Sequence, residues 1–112
     1  MRQEIEKYEG WNHDIMVAIS KAESSVDINL NGRFDPDEFC YRQARGDTTL
    51  TYQNNGRVYG YSVGVFQVRI LEGREHCDTY DIEVNVKCAY NVWKGQGYGA
   101  WSVYTNGKYL RV

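Results

Sequence analysis

Asn12-His13-Asp14-Ile15-Met16-Val17-Ala18-Ile19-Ser20-Lys21-Ala22-Glu23-Ser24-Ser25 is the stretch whose reading decides the fold, and its foot, Ala22-Glu23-Ser24-Ser25, decides what the fold is for. Ile15, Ala18, Ile19, Ala22 and Val26 recur at the spacing of one helical face. Asn12 stands just ahead of them, and its side-chain oxygen suits an N-cap, so the spacing predicts a helix from about Asn12 to Ser25. At ~100° per residue Glu23 falls on the flank of the apolar stripe, close to Met16, and not on the opposite, solvent face. It also lies in the last turn, at the negative end of the helix dipole, where an anion is disfavoured. Partial burial and the dipole both favour the protonated carboxyl, the form a general acid needs. The plainer reading of the same residue is a surface glutamate near a helix end.

Working outward, the 112 residues predict one domain, spanning 1–112. No apolar run approaches the ~18 residues of a membrane span. A net charge of −2, with no local cluster of Lys or Arg, gives no electrostatic footprint for nucleic acid. Ten Tyr and three Trp against three Phe mean that rings with a polar handle outnumber purely apolar ones. Such rings pack and hydrogen-bond at once, which suits a groove that stacks on sugar faces and equally suits a Tyr-rich core edge. The segment from Met1 to Lys7 has no apolar h-region, so no secretory signal is read there. Three cysteines allow one bridge at most; Cys77 and Cys88 flank one helix start and are the favoured pair, with Cys40 as the alternative partner.

In chain order, Arg2 to Tyr8 reads as a short charged helix stopped by Gly10. Asp27-Ile28-Asn29-Leu30-Asn31-Gly32-Arg33-Phe34-Asp35-Pro36-Asp37-Glu38 matches the calcium loop of an EF-hand. The ligands would be Asp27, Asn29, Asn31, the Arg33 carbonyl, Asp35 and bidentate Glu38. The same letters also spell an N-cap, a first-turn proline and a capping glutamate for a helix from Pro36 to about Arg45. Thr48–Tyr52 and Arg57–Tyr61 flank Asn54-Asn55-Gly56, a hairpin signal. Ser62 to Val68 then runs into a short helix or turn of about Gly64 to Leu71, within which Gln67 interrupts the apolar run and must find partners, in a cleft or in the backbone. From Asp81, as N-cap, a helix is predicted to about Lys94, ended by Gly95 and Gly97. Asn85 shares its apolar face, as a buried amide or a groove residue. The tail from Gly97 to Tyr109 reads as a helical turn, a Thr-Asn-Gly bend and a last extended piece.

These pieces, in this order, resemble the lysozyme-like superfamily, and within it the soluble lytic transglycosylase and goose-type lysozyme branch. Ala22-Glu23-Ser24-Ser25 resembles the catalytic Glu-Ser motif, and Gly64-Val65-Phe66-Gln67 the Gly-Leu-Phe/Met-Gln motif after the β region. Asp81 to Tyr90, with Asn85 between, is similar to the Asn-Ile…Tyr helix, and Tyr104-Thr105-Asn106-Gly107 to the Tyr-Asn-Ala-Gly motif. The resemblance covers about Asn12 to Tyr109. It departs from the transglycosylase pattern between Ser25 and Gly64, where the insert is longer and its hairpin is closer to animal-type lysozymes.

The resemblance implies an α+β, mostly helical fold with a small β-hairpin subdomain beside an active-site cleft. By position it makes Glu23 the general acid/base, Gln67 a substrate contact near the scissile bond and Tyr104 a ring at the carboxylate, with Ser24, Asn85 and Tyr90 as further substrate-side residues. The implied reaction is cleavage of peptidoglycan glycan strands at the bacterial cell wall, outside the cytoplasm, by a secreted or phage-delivered monomeric domain, alone or within a larger assembly. No cofactor is required; a structural calcium ion is one of the two readings of the Asp27–Glu38 pattern and does not come from the resemblance. In two-carboxylate glycosidases a second acid serves as nucleophile or base. Asp47 is the best placed candidate, and is as readily a turn residue. A single acid suffices if the substrate's acetamido or 6-hydroxyl group attacks, which inclines the reading towards transglycosylation over hydrolysis. The rival class is a catalytically silent glycan-binding module. A zinc peptidase fits poorly, since His13 and His76 are not at ligand spacing with a carboxylate pair.

Overall fold

The computed structural model describes residues 2–24, 51–79 and 81–111. Helix α1 (Arg2–Glu6) is short and charged, as expected, and buries Ile5. Trp11 follows it into the core, its indole N–H donating to the Ile5 carbonyl at 3.0 Å. Helix α2 (His13–Ser24) is capped as its sequence predicts: Asn12 Oδ1 accepts from the Ile15 N–H at 2.9 Å. Of the expected apolar stripe, Ile19 and Ala22 are buried while Ile15 and Ala18 are half-buried; the buried face is turned towards Met16, Val17 and Ser20, and Val26 lies outside the described residues.

Two small antiparallel hairpins follow, giving an α+β, mostly helical chain. In the first, β1 (Tyr52–Asn54) pairs with β2 (Arg57–Tyr59), with Asn54 opposite Arg57. That register leaves Asn55-Gly56 as the two-residue loop, with positive φ at both (53° and 79°), which is why Asn-Gly is the sequence found there. The second hairpin corrects the looser expectation for Gly64 to Leu71. Residues 64–67 form a turn, and Val68–Arg69 is a strand, β4, paired with β3 (Ser62–Val63). A helix there would have pulled Val68 and Ile70 out of the core, where both are buried.

A 3-10 turn at Glu75–Cys77 leads to α3 (Ile82–Gln96), and Cys77 is bonded to Cys88 on that helix, the favoured pairing. Asp81 caps α3 through the Val84 N–H at 3.0 Å. The helix runs past Gly95 and ends at Gly97, whose N–H returns to the Trp93 carbonyl at 2.7 Å. After a 3-10 turn at Tyr98–Ala100 and the one-turn α4 (Ser102–Thr105), the final piece is a 3-10 turn, Lys108–Arg111, and not extended. Asn106 Oδ1 accepts from the Lys108 N–H at 2.8 Å and so starts that turn, which packs beside α2.

One aromatic cluster joins these pieces. Trp11 lies within 6.2 Å, centroid to centroid, of Tyr8, Phe66, Tyr90 and Trp93, and Phe66 is at 6.1 Å from Trp101. Phe66 belongs to the 64–67 turn and is fully buried. The turn is therefore driven into the core by one of its own residues, which fixes the position of the next, Gln67.

Candidate active site

Glu23 occupies the last turn of α2, and its side chain is partly buried on the wall of a cleft of about 500 Å³. Burial is the main influence on its carboxyl and raises the pKa to about 7; the positive charge of Lys108 opposes the rise. Lys108 comes from the 3-10 turn that packs beside α2.

The cleft brings Glu23 together with Gln67, residues 44 positions apart in the chain (67 minus 23). Gln67 is held by what surrounds it. Its backbone is in the left-handed region, φ +48°, and its N–H donates to the Gly64 carbonyl at 3.0 Å. Its side-chain amide donates to the same carbonyl at 2.9 Å. The turn beneath is clamped from two directions. The Asn85 carboxamide accepts from the Phe66 N–H at 3.0 Å and donates to the Val63 carbonyl at 2.9 Å. The Trp101 indole N–H donates to the Phe66 carbonyl at 3.0 Å. Every one of these backbone groups would be costly if buried without a partner, so each bond holds the turn to one geometry.

Asn85 is thus the buried amide of the two alternatives its sequence position left open: it is 1% exposed and serves the turn from beneath, and it does not line the cleft. Tyr90 also stands apart from the cleft wall. Its hydroxyl donates to the Glu9 carbonyl at 2.7 Å, and its ring is stacked on Tyr8 at 4.7 Å. Tyr104 is half-buried between Tyr98 and Tyr109, at 5.1 and 4.9 Å between centroids. The Tyr98 hydroxyl accepts the Asn12 N–H at 2.8 Å, so this ladder of rings ties the C-terminal turns to the start of α2. Ser24 is the last residue of α2. The calcium-loop residues Asp27, Asn29, Asn31, Arg33, Asp35 and Glu38, the candidate carboxylate Asp47 and Cys40 lie outside the described residues.

Residues that the sequence did not single out complete the wall. Ser62, Gln96 and Ser102 supply hydroxyl and amide groups, and Arg69 and Arg74 supply positive charge. Val68, Leu71, Val92 and Trp101 give the apolar surface between them. Strand alternation was the available signal for Arg69: between buried Val68 and buried Ile70, it must face the other way. Among the described residues, Glu23 is the one carboxylate on this wall.

Among the described residues, His76, Cys77 and Cys88 form the one group of three with ligand atoms at metal-binding proximity. Its two sulfurs are joined to each other, so neither is a thiolate ligand. Comparison of the chain with protein-family models, with curated proteins and with solved structures returns no match.

Proposed function

We propose that this chain cleaves the β-1,4 bond between N-acetylmuramic acid and N-acetylglucosamine in peptidoglycan, at the bacterial cell wall, with Glu23 as general acid/base. One observation carries the reading: a carboxyl whose pKa burial lifts to about 7 stands on a cleft of sugar-binding size and polarity. At neutral pH a large share of Glu23 is protonated, where an ordinary carboxylate would be almost wholly ionised. Gln67 in the same cleft adds support, because the two residues come from separate motifs of the lysozyme-like resemblance.

The chemistry follows from those groups. Glu23 gives its proton to the glycosidic oxygen as the bond from that oxygen to the anomeric carbon breaks, and becomes the carboxylate. The positive charge of Lys108 eases that ionisation. In the intramolecular route the sugar's 6-hydroxyl then attacks the anomeric carbon and gives its proton back to Glu23, leaving a 1,6-anhydro end. In the hydrolytic route water takes the place of the 6-hydroxyl and leaves a reducing end. The intramolecular route needs a single acid, and the described cleft wall offers one, which favours transglycosylation. The amides and hydroxyls of Gln67, Gln96, Ser62 and Ser102 suit sugar hydroxyl and acetamido groups. The Asp27–Glu38 pattern supports a structural calcium ion, which this chemistry does not require.

Mass analysis of material released from purified peptidoglycan tests the reading. Anhydro-muramyl ends are expected from the native protein, and Glu23→Gln is expected to lose ~10²–10⁴-fold in rate while still binding the polymer. Reducing ends would make the chain a hydrolase. Binding without release by the native protein would make it a silent glycan-binding module and overturn the enzyme reading.

A further inference from the structure

Arg69 and Arg74 are unlike the rest of the cleft. Arg69 leaves strand β4 between two buried residues, and its side chain has no ion pair or hydrogen bond with any of the described residues. Arg74 follows the tight turn after Leu71 and donates from Nη1 to the Arg69 carbonyl at 3.3 Å, which brings the second guanidinium to the backbone of the first. Neither is paired with a carboxylate among the described residues, although Arg2, Lys7 and Arg57 each are. Two half-buried cations in a concave wall, with no counter-ion among the described residues, are a standing attraction for an anion.

Their position relative to Glu23 matters as much as their charge. An arginine in contact with Glu23 would hold it ionised and end its use as an acid. Among the described residues the cation acting on Glu23 is Lys108, and neither Arg69 nor Arg74 contributes. The cleft therefore separates its two electrostatic tasks, a neutral acid at one place and a positive pair at another.

Resting on the peptidoglycan reading above, we propose that Arg69 and Arg74 form a carboxylate-binding subsite that recognises the acidic substituent of the glycan strand. The guanidinium fork matches a carboxylate with two parallel N–H bonds, where a neutral sugar hydroxyl offers no charge to pair. N-acetylglucosamine carries no such group. N-acetylmuramic acid does, as the free carboxylate of its 3-O-lactyl ether where the peptide is absent, or as peptide carboxylates where it is present. The subsite thus selects strands that bear the acid over neutral β-1,4 polymers of the same backbone.

The test measures binding in the Glu23→Gln background, so that it does not depend on turnover. Three insoluble glycans serve as probes: intact peptidoglycan, peptide-stripped strands with free lactyl carboxylates, and the stripped strands with those carboxylates converted to primary amides. A ~10–100-fold weaker hold on the amidated strands than on the stripped ones is expected. Adding Arg69→Gln should bring that preference close to one, and Arg69→Lys should restore part of it. Tight binding of intact peptidoglycan with equal binding of the two stripped forms would place the recognised carboxylate on the peptide. Equal binding of all three probes would overturn the subsite and leave the peptidoglycan reading standing. Binding of none would overturn both.

Discussion

The Asn85 carboxamide fills the space that a side chain on residue 64 would need: a Cβ at Gly64 would lie 2.2 Å from Asn85 Nδ2 and 2.6 Å from its Cγ. Gly64 also has φ +85°, where an L side chain is strained whatever its space. The contact joins the turn that presents Gln67 to the helix that runs behind it. Glycine at 64 and asparagine at 85 are thus one device, the first leaving room and the second using it for two hydrogen bonds.

Gly64→Ala should therefore cost about 2–5 kcal/mol, combining overpacking with a strained φ. Urea unfolding of both proteins measures it. Asn85→Ala should also destabilise, by leaving the Phe66 N–H and Val63 carbonyl without partners, yet the double variant should be less unstable than the sum of the two, because the collision is gone. Strict additivity would mean that the two residues do not share this space.

How much of this was legible beforehand depended on whether the signal was local. The α2 helix, its Asn12 cap, the Asn-Gly loop and the Asp81 cap are written in residues within a few positions of one another, and the structure has them where the sequence put them. The turn at 64–67 was harder. Its shape is set by Asn85 and Trp101, 19 and 35 positions from Phe66, and no window on the sequence contains all three. The same distance explains Asn85 and Tyr90, whose motif positions say nothing of which side of α3 meets the cleft. Arg69 and Arg74 belong to no motif at all. The cleft collects them because β4 and the turn after it fold back over α3.

The bond between Cys77 and Cys88 closes a loop with a sequence separation of 11 and holds the 3-10 turn onto α3. Loop-closure entropy for a ring of that size is about 3 kcal/mol, so Cys88→Ser should lower stability by roughly that amount. Thiol titration of the unfolded, unreduced native chain should find one free thiol, the three cysteines of the chain less the bonded two. Three would show that the bond does not form.

The Asp27–Glu38 pattern makes a prediction from sequence alone. A ligand bound by the folded state and not by the unfolded one stabilises it by mass action, so millimolar calcium should raise the melting temperature relative to chelator. Asp27→Asn with Glu38→Gln should abolish the difference if the loop is the site. Equal melting of the native protein in calcium and in chelator would remove calcium from the account.

Glu23 links both stability and rate to pH, and both fall as the pH rises: stability between about 4.5 and 7, and rate above about 7. Its pKa rises from 4.5 to about 7 on folding, with burial as the main cause and Lys108 opposing it. Between those values the folded chain keeps a proton that the unfolded chain has lost, so raising the pH through the window favours unfolding. The loss is complete above about pH 7, where the folded state must hold a partly buried carboxylate. Glu23→Gln keeps the shape and never ionises. It should be more stable than the native protein at pH 8, by about 1–3 kcal/mol, with the gap closing towards pH 4. Native activity should fall above pH 7 by about tenfold per pH unit as the acid form is depleted, and the residual rate of the variant should lack that limb. Paired urea unfolding curves and rate profiles from pH 4 to 9 measure both. A stability gap that does not change with pH, or a native rate that is flat through pH 7, would show that Glu23 titrates as an ordinary surface carboxylate, and the acid assigned to the cleft would be lost with it.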